Sequence, residues 1–303
     1  MTLPASPRLN FLRPGMATLL LMFLTACGGG STRTLATPVA LGIHDGPDET
    51  ILIGYPNGVQ LYLDIYLPTG PPKGAMILNY HGGGWVKFDR KAPSGMETGL
   101  QLRGYVVAAC DYRLLDQGGG FPTNFRDCRS ALRWCQDHAG RWGVDPNKIA
   151  VMGESAGAHL AALVAVAPPN PAWDVDPARA PRPAAAVCQY GTYDFRGKFT
   201  HYNELVDRMV GGDDRIAAAS PANWVDKHNP PILIMHGIQD AEPVTPVIQA
   251  QHFYDLLRGV GAPCRLILVN HAGHGFVPMD GDPDPTFKQL IQDEADFLDE
   301  VMK

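Results

Sequence analysis

Gly153-Glu154-Ser155-Ala156-Gly157 is the stretch that decides how this chain folds. The residues before it, Lys148-Ile149-Ala150-Val151-Met152, read as a short buried strand. Those after it, 158–165, are mostly strong helix formers with no Gly or Pro. Strand, Gly-x-Ser-x-Gly and helix in that order is the pattern of a nucleophile elbow, a turn so tight that only glycine fits two residues either side of the serine. It lifts the hydroxyl above the sheet edge, which makes Ser155 the candidate nucleophile.

Working outward, residues 75–80 and 106–110 are continuous apolar runs, the mark of strands buried on both faces, and 185–190, 232–236 and 264–269 are three further apolar strands. Residues 51–53 and 59–66 are β-rich and joined by Pro56-Asn57-Gly58, a hairpin signal. Between the strands lie helical patterns at 91–102, 124–138, 247–258 and 287–302; Phe125, Cys128, Leu132 and Cys135 fall at spacings of three and four. Proline-rich 168–183 is loop. The alternation predicts an α/β fold with a mostly parallel eight-stranded sheet and helices on both faces. Residues 192–228, with a helix at 202–210, break the rhythm and are expected to form a small cap.

A serine nucleophile needs a base held in one tautomer and donors waiting where negative charge develops. His81-Gly82-Gly83-Gly84-Trp85 directly follows the 75–80 strand, and its bare glycine N–H groups suit such donors, joined by the N–H of Ala156. His81 itself reads as a residue that pins the loop. Asp240, just past the 232–236 strand, is the candidate acid, with Glu242 its rival; a loop Asp taken alone would read as a turn cap. His274, flanked by glycines after the 264–269 strand, is the candidate base, preferred to His271. The chain order is thus Ser155, Asp240, His274. His159 is expected to pack beneath the elbow, and Asp111-Tyr112-Arg113 to form an ion pair or anchor a loop.

A net charge of −6 gives no basic excess for nucleic acid, and 45% hydrophobic residues over 303 suffice for one large core. No cysteine pair has metal-ligand spacing, so neither metal nor cofactor is expected. Residues 1–26 read as a leader: Arg8 and Arg13, then the apolar run 16–24, too short to span a bilayer. Leu24-Thr25-Ala26-Cys27 resembles a bacterial lipobox, with Cys27 lipidated and 27–45 a flexible tether to a domain at 46–303. Membrane contact would then run through that lipid only, outside the cytoplasm. Cys110, Cys128, Cys135, Cys188 and Cys264 read as mostly buried, with one or two disulfides allowed in such a compartment. Cys128 and Cys135, seven apart on one helix, lie about 10 Å apart along its axis and cannot bridge each other.

Taken together, residues 81–85, 111–113, 143–146, 153–157, 236–240 and 273–276 resemble the α/β-hydrolase superfamily, in particular bacterial feruloyl/acetyl-xylan esterases and hormone-sensitive-lipase-type carboxylesterases. The resemblance covers about residues 48–300. It implies a serine esterase acting on short-chain, acetyl or hydroxycinnamoyl esters, free or carbohydrate-linked, through an acyl-enzyme, with the N–H groups of Gly83 and Gly84 donating to the oxyanion and that of Trp85 as a substitute for one of them. Two departures favour the esterase group: a β-hairpin stands where the lipase type carries a helical N-terminal cap, and Ala158 stands where that type has a further glycine. An amidase of the arylformamidase type shares the same machinery and is the alternative reading. A non-catalytic binding module would be expected to have lost a member of the triad.

Overall fold

A computed structural model describes residues 46–91, 95–196 and 204–303; the expected leader, Cys27 and the expected tether lie outside them. Eight strands form one sheet: β1 (Glu49–Gly54), β2 (Leu61–Tyr66), β3 (Met76–Tyr80), β4 (Val106–Cys110), β5 (Ile149–Glu154), β6 (Ala186–Gln189), β7 (Ile232–Gly237) and β8 (Cys264–Val269). Their order is β1-β2-β4-β3-β5-β6-β7-β8. The pairs β1–β2 and β2–β4 are antiparallel, and every later pair is parallel. At the hairpin, Asn57 takes the left-handed conformation (φ 51°), which Asn tolerates better than most residues.

Helices α1 (Met96–Leu102), α2 (Thr123–His138), α3 (Ala156–Val166), α4 (Glu204–Val210), α5 (Ile216–Ala219), α6 (Ile248–Val260) and α7 (Phe287–Val301) complete the chain. Because successive strand side chains point to opposite faces, each apolar strand feeds two cores. Ile149 and Val151 face α2, α3 and α6, whereas Ala150 and Met152 face α1 and α7. Ile232 and Ile234 divide from Leu233 and Met235 in the same way. Helix α3 is buried along its whole length, which explains why it is apolar on every side. The fold is that of an α/β-hydrolase.

The disulfides allowed by the sequence are not formed: all five described cysteines are free, and all but Cys264 are buried. They sit on separate elements or, for Cys128 and Cys135, two turns apart on α2. Burial pushes their thiols up, Cys135 to about 12, so they act as small apolar side chains. From the segment between β6 and β7, the described residues form α4, α5 and short 3-10 turns.

Candidate active site

The elbow geometry explains its glycines. A Cβ on Gly157 would fall 1.9 Å from the Tyr80 carbonyl oxygen, and one on Gly153 would fall 2.4 Å from the Gly157 carbonyl. Between them Ser155 adopts φ 52°, ψ −114°, a strained conformation for a residue with a side chain, costing on the order of 1–3 kcal/mol. Its carbonyl accepts from His159 N, starting α3. Ala156 is the first residue of α3, so its N–H has no intrahelical acceptor and lies at the positive end of the helix dipole.

The structure brings together the three residues the sequence singled out. His274 Nε2 lies 3.1 Å from Ser155 Oγ, and His274 Nδ1 lies 2.8 Å from Asp240 Oδ2. The Asp240 side chain is enclosed. Burial pushes its carboxyl up, but hydrogen bonds from His236 and His274 and from the Glu242 N–H outweigh this and hold it at about 2. Thus Asp240 is ionised opposite the imidazole. The rivals stand elsewhere: Glu242 contributes its backbone N–H to Asp240 Oδ1 (3.0 Å) and an exposed side chain, while His271 Nδ1 meets Asp280 at 2.8 Å.

The glycine loop after β3 faces this relay. A Cβ on Gly82 would sit 3.6 Å from Ser155 Cβ, so the loop passes close to the candidate nucleophile. Gly83 has φ 105° and no room for a side chain, since a Cβ there would fall 2.2 Å from the Lys87 carbonyl oxygen. Val86 N and Lys87 N both donate to the Gly83 carbonyl at 3.2 Å, closing the turn. Among the described residues nothing accepts from the N–H groups of Gly83 or Gly84, which leaves them for a ligand.

The residues expected to anchor loops do so. The Tyr112 ring stacks on His81 at 4.3 Å, and its hydroxyl donates to the His81 carbonyl at 2.8 Å. His81 Nδ1 stands 2.8 Å from the Gly82 carbonyl; burial pushes its imidazole pKa down despite that bond. Arg90 clasps Asp111 (2.9 Å) and Asp64 (3.0 Å), and Arg113 pairs bidentately with buried Asp127 at 2.8 and 2.6 Å. His159 is enclosed, donates Nε2–H to the Ala219 carbonyl and packs edge-on to Trp85.

A pocket of about 590 Å³ opens over Ser155 and His274. Gly82–Phe88, Tyr190, Leu205, Val244 and Thr245 line it, with Lys87 and Glu242 as exposed charges at its rim. Sequence reasoning missed three contributors. Tyr190 sets its ring edge-on to His274 at 5.0 Å, Thr245 Oγ1 lies 3.1 Å from His274 Nδ1, and His236 Nε2 lies 3.1 Å from Asp240 Oδ2. The nearest signal was the spacing of His236, four residues before Asp240. Among the described residues no three His, Cys, Asp or Glu are grouped to hold a metal ion.

The arrangement is that of an α/β-hydrolase with a serine relay, and similarity agrees. The BD-FAE family model matches residues 63–257, and the chain belongs to that family. It is 31% identical over 255 residues to the esterase LipC of Mycobacterium tuberculosis, covering 77% of this chain and 62% of that protein. It is 30% identical over 252 residues to the probable carboxylic ester hydrolase LipM of the same organism, covering 77% and 57%. The chain therefore spans less than two thirds of the length of both relatives. Among solved structures, the thermophilic esterase Est2 of Thermogutta terrifontis, with propionate bound, superposes with a TM-score of 0.70 at 27% identity, covering 84% of this chain and 94% of that one.

Proposed function

We propose that the protein is a carboxylic ester hydrolase that works through an acyl-enzyme on Ser155. The observation that carries this is the continuous Ser155–His274–Asp240 relay, at 3.1 and 2.8 Å, at the base of the pocket beneath unpaired glycine N–H groups. His274 Nε2 takes the Ser155 proton as Oγ bonds to the ester carbonyl carbon. The resulting oxyanion accepts from Gly83, Gly84 and Ala156 N–H. His274 then gives its proton to the departing alcohol oxygen as the ester C–O bond breaks. Water, deprotonated by the same imidazole, attacks the acyl-serine and releases the acid. Each oxyanion donor contributes on the order of 3 kcal/mol to the transition state. Asp240 keeps the imidazole in the tautomer this needs.

The substrates we infer are acetyl and other short-chain esters, or hydroxycinnamoyl esters, including those on polysaccharide. The propionate held by the Thermogutta esterase supports a short acyl group. Comparing kcat/KM on acetylated and feruloylated xylan fragments, on p-nitrophenyl esters of increasing length and on N-formylkynurenine tests this. Preference for N-formylkynurenine would favour the formamidase reading, and preference for long acyl chains would defeat the short-acyl one. The lipobox at 24–27 supports a lipid anchor on Cys27 in the bacterial envelope. Fatty-acid labelling that persists in Cys27→Ala would contradict it.

A further inference from the structure

Asp240 meets a second imidazole besides that of His274. His236, near the end of β7, is fully enclosed, and its Nε2 lies 2.9 Å from the Thr245 carbonyl and 3.1 Å from Asp240 Oδ2. That is the same carboxylate oxygen that His274 Nδ1 meets at 2.8 Å. Thr245 closes the circle, with its hydroxyl 3.1 Å from His274 Nδ1 and 3.4 Å from Asp240 Oδ2. His236 therefore ties both ends of the 240–245 loop with one nitrogen.

Both groups around Nε2 are acceptors, so that nitrogen carries the ring proton and Nδ1 is bare. Nδ1 is buried and has no hydrogen-bond partner among the described residues. An apolar side chain would fill this place without an unpaired acceptor, as Ile232, Leu233, Ile234 and Met235 do along the same strand. What the imidazole adds is its N–H against the acid. Among the described residues, Asp240 is the one charged group within ion-pair distance of His236.

Building on the relay reading, we propose that His236 is a positioning residue for Asp240. It fixes the direction in which Oδ2 faces His274 Nδ1. Loss of the N–H lets the carboxylate turn away, so the imidazolium that forms in the transition state loses part of its support.

The test compares His236→Leu, which removes the donor, with His236→Gln, whose amide N–H reaches the place of Nε2. Activity is read with p-nitrophenyl acetate from pH 4 to 9 and normalised to folded protein by thermal melts. In the Leu variant kcat is expected to fall about tenfold to a hundredfold. KM should stay within about twofold, because the group acts on the transition state rather than on binding. Gln restores most of the rate. Should the Leu variant not fold, His236→Asn takes its place, since its shorter amide does not reach Asp240. An unchanged rate per folded molecule in Leu or Asn, or no recovery with Gln, would overturn the proposal. A Ser155→Ala variant that keeps its activity would overturn the relay itself, whatever His236 does.

Discussion

His159 Nε2 stands 2.8 Å from the carbonyl oxygen of Ala219, joining the helix that starts after Ser155 to the segment between β6 and β7. Burial pushes this imidazole from 6.5 down to about 4, with the bond to Ala219 opposing the shift. The folded state therefore resists protonation more than the unfolded chain does. The stability that comes with the neutral ring is fully present above about pH 6.5 and is lost as pH falls toward about 4. In His159→Gln, which keeps a donor but does not titrate, the urea midpoint should fall less between pH 7 and 4.5 than in wild type. Equal falls would show that the ring takes no part.

Asp240→Asn keeps the shape of the acid but offers His274 Nδ1 an amide. A loss in kcat of about 10⁴-fold is expected, as for the equivalent change in other serine relays. The variant also reports on stability. Wild-type Asp240 titrates at about 2 rather than 3.8, so its contribution is present above about 3.8 and disappears as pH falls toward 2. Melting temperatures of wild type and variant should converge over that window, and a constant gap would contradict the carboxylate's part in stability.

The two glycine clusters should fail in different ways. Gly157→Ala drives a Cβ to 1.9 Å from the backbone oxygen of Tyr80, between two central elements that cannot move apart. Loss of about 3 kcal/mol or more, or no folded protein, is expected. Gly83→Ala meets the Lys87 carbonyl oxygen at 2.2 Å and the Phe88 ring at 2.8 Å, both within its own surface turn. There the melt should change less while kcat falls about 10²- to 10³-fold as one oxyanion donor is displaced. Equal damage by both measures at both sites would refute the assignment of the loop.

The parallel strands and the elbow were legible because they are written in local chemistry: apolar runs such as 149–152 and glycines at fixed distance from Ser155. Asp240 and His274, the residues that line up with Ser155, were legible because each follows its own strand. Strand order was not, since nothing local to residues 106–110 says that β4 pairs with both β2 and β3. Thr245 and Tyr190 were missed for the same reason. A threonine in a loop and a tyrosine at a strand end acquire meaning only when His274, arriving from β8, is set beside them. His236 read as the end of an apolar strand because its contact with Asp240 depends on the turn at Gly237 through Gln239.

The proposed role of Ser155 as the nucleophile of an ester hydrolase is tested most directly by kcat/KM for p-nitrophenyl acetate in purified wild type and Ser155→Ala. A fall of about 10⁵-fold or more, with the melting temperature held, is predicted. A variant that keeps activity within about tenfold of wild type would contradict the account.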